Sequence, residues 1–264
     1  MARFRDIHLY PYSGWYRKRW GQPDTRSRDV DATARTARRV TEAISRELGV
    51  ADLSSSASSY RLIAEEGKDT FELTLDRSPS DAFLGRLTIP RGFRHLDPQV
   101  RAGLVADAVQ AALLALGDHS RWDPAVVRNA VDGVRDASFA CEWTGPWKAS
   151  RDRSTQIRLQ GRILDDGYGR WRIVVADRPS GAVRLQTQDV VGWNWLANLE
   201  RAAASIRWVT PSTIELQSGS DFLPQVVTVN IETGKVKGTR LEPVPTSYPG
   251  AASRAPSVPT LLVH

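Results

Sequence analysis

The chain of 264 residues contains one cysteine, one methionine and four histidines, and these scarcities exclude more chemistry than any abundance assigns. One thiol cannot close an internal disulfide, and four scattered histidines offer no cluster at metal-ligand spacing, so neither a disulfide framework nor structural zinc is expected. Gly-rich phosphate loops are missing: Gly167-Tyr168-Gly169 lies between two strand-like runs, without the following helix and lysine that a nucleotide loop requires. No apolar run approaches the roughly 18 residues that spanning a bilayer takes, and the opening MARFRDIHLYPYSGWYRKRW lacks a continuous hydrophobic signal core. The reading is a cytoplasmic protein with no membrane partner.

Acid–base chemistry finds no footing either. Glu65-Glu66 and Asp165-Asp166 are neighbours in sequence, whereas catalytic carboxylates converge from separate elements in unequal environments. Asp165-Asp166 precedes Gly167 as a hairpin turn does. His8 falls in a strand, His95 and His119 near helix boundaries and His264 at the last position. Cys141 alternates with Phe139 and Trp143 on one strand face and reads as a small buried residue, with no histidine nearby to act as its base. No catalytic residue, cofactor or metal is assigned, and the chain reads as leaning away from an enzyme. A dispersed site assembled only by the fold is the third-ranked alternative.

What is present is an ordinary globular composition, 41% hydrophobic and 25% charged, with an excess of arginine. Of 36 basic residues 31 are arginine, and alanine is abundant, as in high-GC bacterial coding. Residues 1–50 hold 11 Arg and Lys against 6 Asp and Glu, so this segment carries +5 of the formal +6. Clustered charge says more about an anionic partner than a global excess does, because the field depends on where the charges lie.

Patterning gives an α+β fold: antiparallel sheets with helices packed on one face, in two lobes, plus an extended C-terminal tail. RDIHLYPY reads as a strand; from Asp29 the apolar positions recur every three or four residues to a stop near Gly49, with Arg35, Arg38, Arg39 and Arg46 mostly off that face. YRLIAEE and TFELTLDR are expected to pair as a hairpin across Gly67-Lys68-Asp69, with AFLGRLTIP as a third strand. Asp97-Pro98 and Asp123-Pro124 each place an N-cap acid before a proline that needs no amide partner, predicting helices over 98–116 and 124–136. SFACEW, TQIRLQGRIL, RWRIVVAD and AVRLQTQ alternate as a meander, VGWNWLANLERAAASIRWV resumes helical spacing, and TIELQ, QVVTVNI and VKGTRLEP close the fold. FELTLDRSPSDAFLGRLT echoes WRIVVADRPSGAVRLQT, which would relate the two lobes by duplication; any two hairpins share such turns. Boundaries are placed at 1–92, 93–242 and 243–264, the last holding five prolines and one formal charge.

Two stretches combine aromatics with cations. Trp15-Tyr16-Arg17-Lys18-Arg19-Trp20 interleaves them, and Trp147, Lys148, Arg151 and Arg153 follow a Thr-Gly-Pro break. Trp and Arg are what interface hot spots favour, so both stretches are candidate contacts for a protein partner, as in an adaptor, an immunity-type inhibitor or an assembly component. The alternative is a nucleic-acid-binding module in which Arg17, Lys18, Arg19, Arg26 and Arg28 meet phosphates. No groove-fitting helix or ribonucleoprotein signature accompanies it.

Overall fold

Both Asp-Pro pairs open helices, as their chemistry dictates. The Asp97 carboxylate accepts from the amides of Gln99 and Val100 at 2.8 and 3.3 Å, and Asp123 accepts from Ala125 at 2.9 Å. The computed structural model describes residues 2–11, 28–76, 82–192, 195–217, 226–238 and 257–264. In chain order its elements are β1 (Ala2–Arg3), β2 (Asp6–Pro11), α1 (Arg28–Val50), β3 (Ser54–Ser55), β4 (Ser59–Glu66), β5 (Phe71–Leu75), β6 (Phe83–Ile89), α2 (Pro98–Ser120), α3 (Pro124–Asp136) and β7 (Cys141–Thr144). They continue as β8 (Lys148–Ala149), β9 (Thr155–Ile163), β10 (Gly169–Asp177), β11 (Val183–Gln186), β12 (Val190–Gly192), α4 (Leu196–Ser205), β13 (Arg207–Thr210), β14 (Thr213–Gln217), β15 (Val226–Asn230), β16 (Val236–Lys237) and β17 (Leu261–Val263). The fold is α+β.

The chain divides into two units, one formed by Met1–Cys141, Asp165–Gly167 and Pro245–His264, the other by Glu142–Leu164 and Tyr168–Val244. The boundary therefore falls near residue 141 and not at 92. The reason lies in α2, whose Leu104, Val105, Val109, Leu113 and Leu116 are buried against α1, α3 and strands β5, β6 and β17, so it completes the first core. Among the described residues α2 is the one helix long and apolar enough to cross a membrane, and 61% of that stretch is buried within the protein.

The first unit's sheet runs β17-β5-β6-β4-β2. It is mixed, which corrects the expected all-antiparallel lobe: β2 with β4, β4 with β6 and β17 with β5 are parallel, and only β5 with β6 is antiparallel. The expected β4–β5 hairpin does not form, because β6 inserts between the two strands and the Gly67 amide bonds Ile89 at the end of β6 (2.8 Å). Tyr60, Leu62, Phe71, Leu73, Leu87 and Ile89 form the buried face, while Arg61, Thr74 and Arg86 point outward to solvent.

Two other helix readings change at their ends. Helix α2 continues four residues past Leu116 to Ser120 and stops at Arg121, which takes the left-handed conformation (φ 59) and bonds back to Gly117. Helix α4 stops at Ser205, and Arg207–Thr210 leaves as a strand paired with β14. The tail also ends in structure: β17 lies parallel to β5, Leu261 to Val263 against Phe71 to Leu73.

The largest correction concerns charge. Arg35 and Arg38 are 8% and 7% exposed, and Arg35 pairs with Asp31 at 2.9 Å. Asp165 accepts from Arg101 (2.5 Å), Thr36 (3.1 Å) and Arg39 (3.4 Å). The described arginines in the middle of α1 are therefore folded into ion pairs and the core, and do not form a solvated basic face.

Candidate partner-binding face

In the second unit, β9 and β10 pair antiparallel with Arg162 opposite Arg170 and Gln160 opposite Arg172. Period-two alternation sends Ile157, Leu159, Trp171 and Ile173 inward, where they are at most 1% exposed, and sends Arg158, Gln160, Arg162, Arg170 and Arg172 to the other face. Gly161 belongs to the inner set: a Cβ there would lie 2.4 Å from Leu199 Cδ1, so its bare backbone lets α4 close over this side.

The outer face is thus a stripe of four guanidinium groups, each next to a named neighbour. Arg162 Nη2 donates to Asp189 Oδ2 at 2.6 Å. Arg172 Nε donates to Gln160 Oε1 at 3.0 Å. Arg158 lies over the Trp147 ring, 4.4 Å from its centroid, and its buried Nε has no hydrogen-bond acceptor. Arg170 Nη1 reaches the Gly169 carbonyl at 3.3 Å. Beside the stripe Trp143 folds back over Gly145, where a Cβ would meet its Cη2 at 2.6 Å, while the Gly145 amide bonds Leu159 (2.8 Å). Trp143, Glu142, Asp189 and three of the arginines line a pocket of ≈ 100 Å³.

Of the sequence-nominated residues, Trp147 is 37% exposed and stands at the edge of this stripe. Lys148 does not join it: its ammonium donates to the carbonyls of Ala204 (2.5 Å) and Ile206 (3.1 Å) at the end of α4, the favoured place for a cation, and burial holds its pKa below the usual lysine range. Arg151 and Arg153 are exposed in the β8–β9 turn. That turn is organised by Asp152, which accepts from Ser150 (2.6 Å) and Ser154 (2.8 Å); these bonds hold its carboxyl below the usual carboxylate range. Trp15, Tyr16, Arg17, Lys18, Arg19 and Trp20, with Arg26, lie outside the described residues, as does the Arg28 side chain.

Sequence reasoning missed Arg158, Arg162, Arg170 and Arg172, although TQIRLQGRI and GRWRI carry the signal in plain alternation. The inward half of that alternation marks the strands and the outward half carries the four guanidinium groups. In the first unit, Cys141 is 1% exposed. His8 is 4% exposed, with Nε2 3.2 Å from Asp6. Burial pushes the Asp6 carboxyl up, but the hydrogen bonds from His8 and Ser59 outweigh it, and the pKa lies below the usual value. Among the described residues no three His, Cys, Asp or Glu side chains converge where a metal ion could bind. Comparison with protein-family models, curated proteins and solved structures found no match.

Proposed function

We propose that this protein works by binding, as an adaptor, inhibitor or assembly component, and docks an acidic protein partner on the outer face of β9 and β10. One observation carries this reading. Arg162 and Arg170 sit directly opposite each other, in a stripe that also holds Arg158 and Arg172, and like charges in that position weaken a sheet. A fold that keeps such an arrangement beside an exposed indole has the composition of an interface hot spot, where local stability is given up for contact. The arginine- and alanine-rich composition and the single buried thiol fit a bacterial cytoplasmic setting.

An acidic protein surface fits better than nucleic acid. Glu142 and Asp189 stand among the arginines of the pocket, and a polyanion running along the stripe would meet both carboxylates, whereas a protein brings isolated acids that can be seated between them. The test is affinity capture of crosslinked partners from the native lysate, with wild type and Trp147→Ala/Arg158→Glu of unchanged thermal melt. One salt-sensitive partner held by the wild type and lost by the variant is expected. Equal capture by both, or no partner at low and moderate salt, would overturn the reading.

A further inference from the structure

We infer that the pocket beside Trp143 is an oxyanion site, taking one carboxylate or phosphate group as the anchor of the docking face. The inference rests on the partner-binding reading above and names the chemical group that this face recognises.

Orientation is the first ground. A guanidinium edge matches the paired oxygens of a carboxylate or phosphate, and its value as a clamp depends on being held in place beforehand. Arg172 is held at one edge only, by Gln160 on its Nε, and its Nη groups bond no other described residue. Arg162 is held through one Nη by Asp189, and its remaining donors are likewise unbonded among the described residues. Two guanidiniums from adjacent strands, each fixed by one acceptor and each with donors left over, line one pocket.

Size and wall chemistry supply the second. The pocket volume is ≈ 100 Å³, well below the roughly 300 Å³ at which whole small molecules are usually enclosed, so it suits a single charged group carried by something larger. Trp143, packed against Gly145, supplies an apolar wall on one side of the pocket. Three arginines against Glu142 and Asp189 leave the lining positive by one charge, enough to favour one anion and too little to favour a chain of them.

The experiment titrates the full chain with sodium acetate and, separately, with inorganic phosphate, at ionic strength held constant with chloride, following the Trp143 indole and Arg172 Nε–H resonances. Saturable shifts in the millimolar range with either oxyanion are expected, with half-saturation raised about tenfold in Arg172→Ala and in Arg172→Lys, which keeps the charge but loses the fork. Shifts that stay linear, that chloride reproduces, or that persist unchanged in both variants would overturn the site. A glutamate-rich peptide and a single-stranded oligonucleotide then compete for the bound anion. Displacement by the peptide supports a protein source, and displacement by the oligonucleotide alone overturns it. Saturation by acetate or phosphate with no loss of lysate capture in Trp147→Ala/Arg158→Glu would leave the oxyanion site standing and sink only the docking reading.

Discussion

Asp165 looks in sequence like half of a turn, and in the fold it gathers Arg101, Thr36 and Arg39 while Arg101 also bonds the Arg94 carbonyl at 2.7 Å. Removing its charge leaves two largely covered guanidiniums facing an amide, and a charged hydrogen bond lost at such a place costs about 2 kcal/mol. Asp165→Asn is expected to lower urea-unfolding stability by that amount, whereas Glu215→Gln, which breaks the exposed Arg207 pair (2.7 Å), should change it by less than about 0.5 kcal/mol. Equal effects would show that Asp165 has no special place. A second residue-scale outcome concerns acid. Hydrogen bonds from Ser150 and Ser154 hold the Asp152 carboxyl below its usual value of 3.8, so its folded pKa is depressed. The contribution to stability is then present above the unfolded pKa and lost as pH falls through the folded one. A carboxyl-carbon titration by NMR should place the Asp152 midpoint below 3.8, and Ser154→Ala should bring it back up. A midpoint unmoved by the substitution would remove the serines as its cause.

At the scale of elements, what the sequence made legible was whatever is decided within a few residues. The helix starts at Asp97 and Asp123 are local because the cap, the proline and the amide it satisfies lie within one turn. Asp97→Ala and Asp123→Ala should each cost about 1 kcal/mol in thermal or urea unfolding, and no change would mean the caps are idle. The partner of β4 is not local. Its choice between β5 and β6 depends on a helical crossover that brings β2 alongside it in parallel, and a Gly-Lys-Asp turn cannot report that. The stop of α4 is equally non-local, since Arg207–Thr210 has helical spacing behind it and turns to strand because β14 offers a ladder. Helix α1 shows the same limit: Arg35 and Arg38 lie off the apolar stripe, as on a solvated helix, but packing buries them too. Half of the candidate face was readable, since Trp147 stood out as an aromatic beside cations, while the guanidinium stripe lay in alternation that needed only to be followed outward. Gly161 tests the packing behind that stripe. A valine there must displace Leu199, and overpacking of this kind costs about 1–3 kcal/mol; a melt unchanged in Gly161→Val would mean that α4 does not close on β9 as described.

At the scale of the whole molecule, the last residues decide whether the first unit's sheet ends in a strand or in an open edge. Leu261–Val263 pair parallel with Phe71–Leu73, the His264 amide donates to Leu73 (2.9 Å) and its carbonyl accepts from Leu75 (3.1 Å), and α2 packs beside the added strand. Leu262 and Val263 are 44% and 49% exposed, so β17 contributes little apolar burial of its own, and its effect comes through the ladder. A few backbone hydrogen bonds are worth about 1 kcal/mol each in net terms, which sets the expected loss on removing residues 257–264 at about 2–3 kcal/mol. The larger effect is on association. Without β17 the β5 strand, with Phe71 and Leu73 buried on one face, presents unpaired amides and carbonyls along an edge, and such an edge recruits another chain. The truncated protein is therefore expected to melt lower and to elute earlier from a sizing column as its concentration rises, as a larger associated species, while the full chain elutes unchanged over the same range. Substituting Leu262→Pro, which takes one donor from the ladder and keeps the length, should reproduce part of both effects. If the truncation melts and elutes as the full chain does, β17 is an ornament on the sheet and β5 is protected by something other than its parallel neighbour.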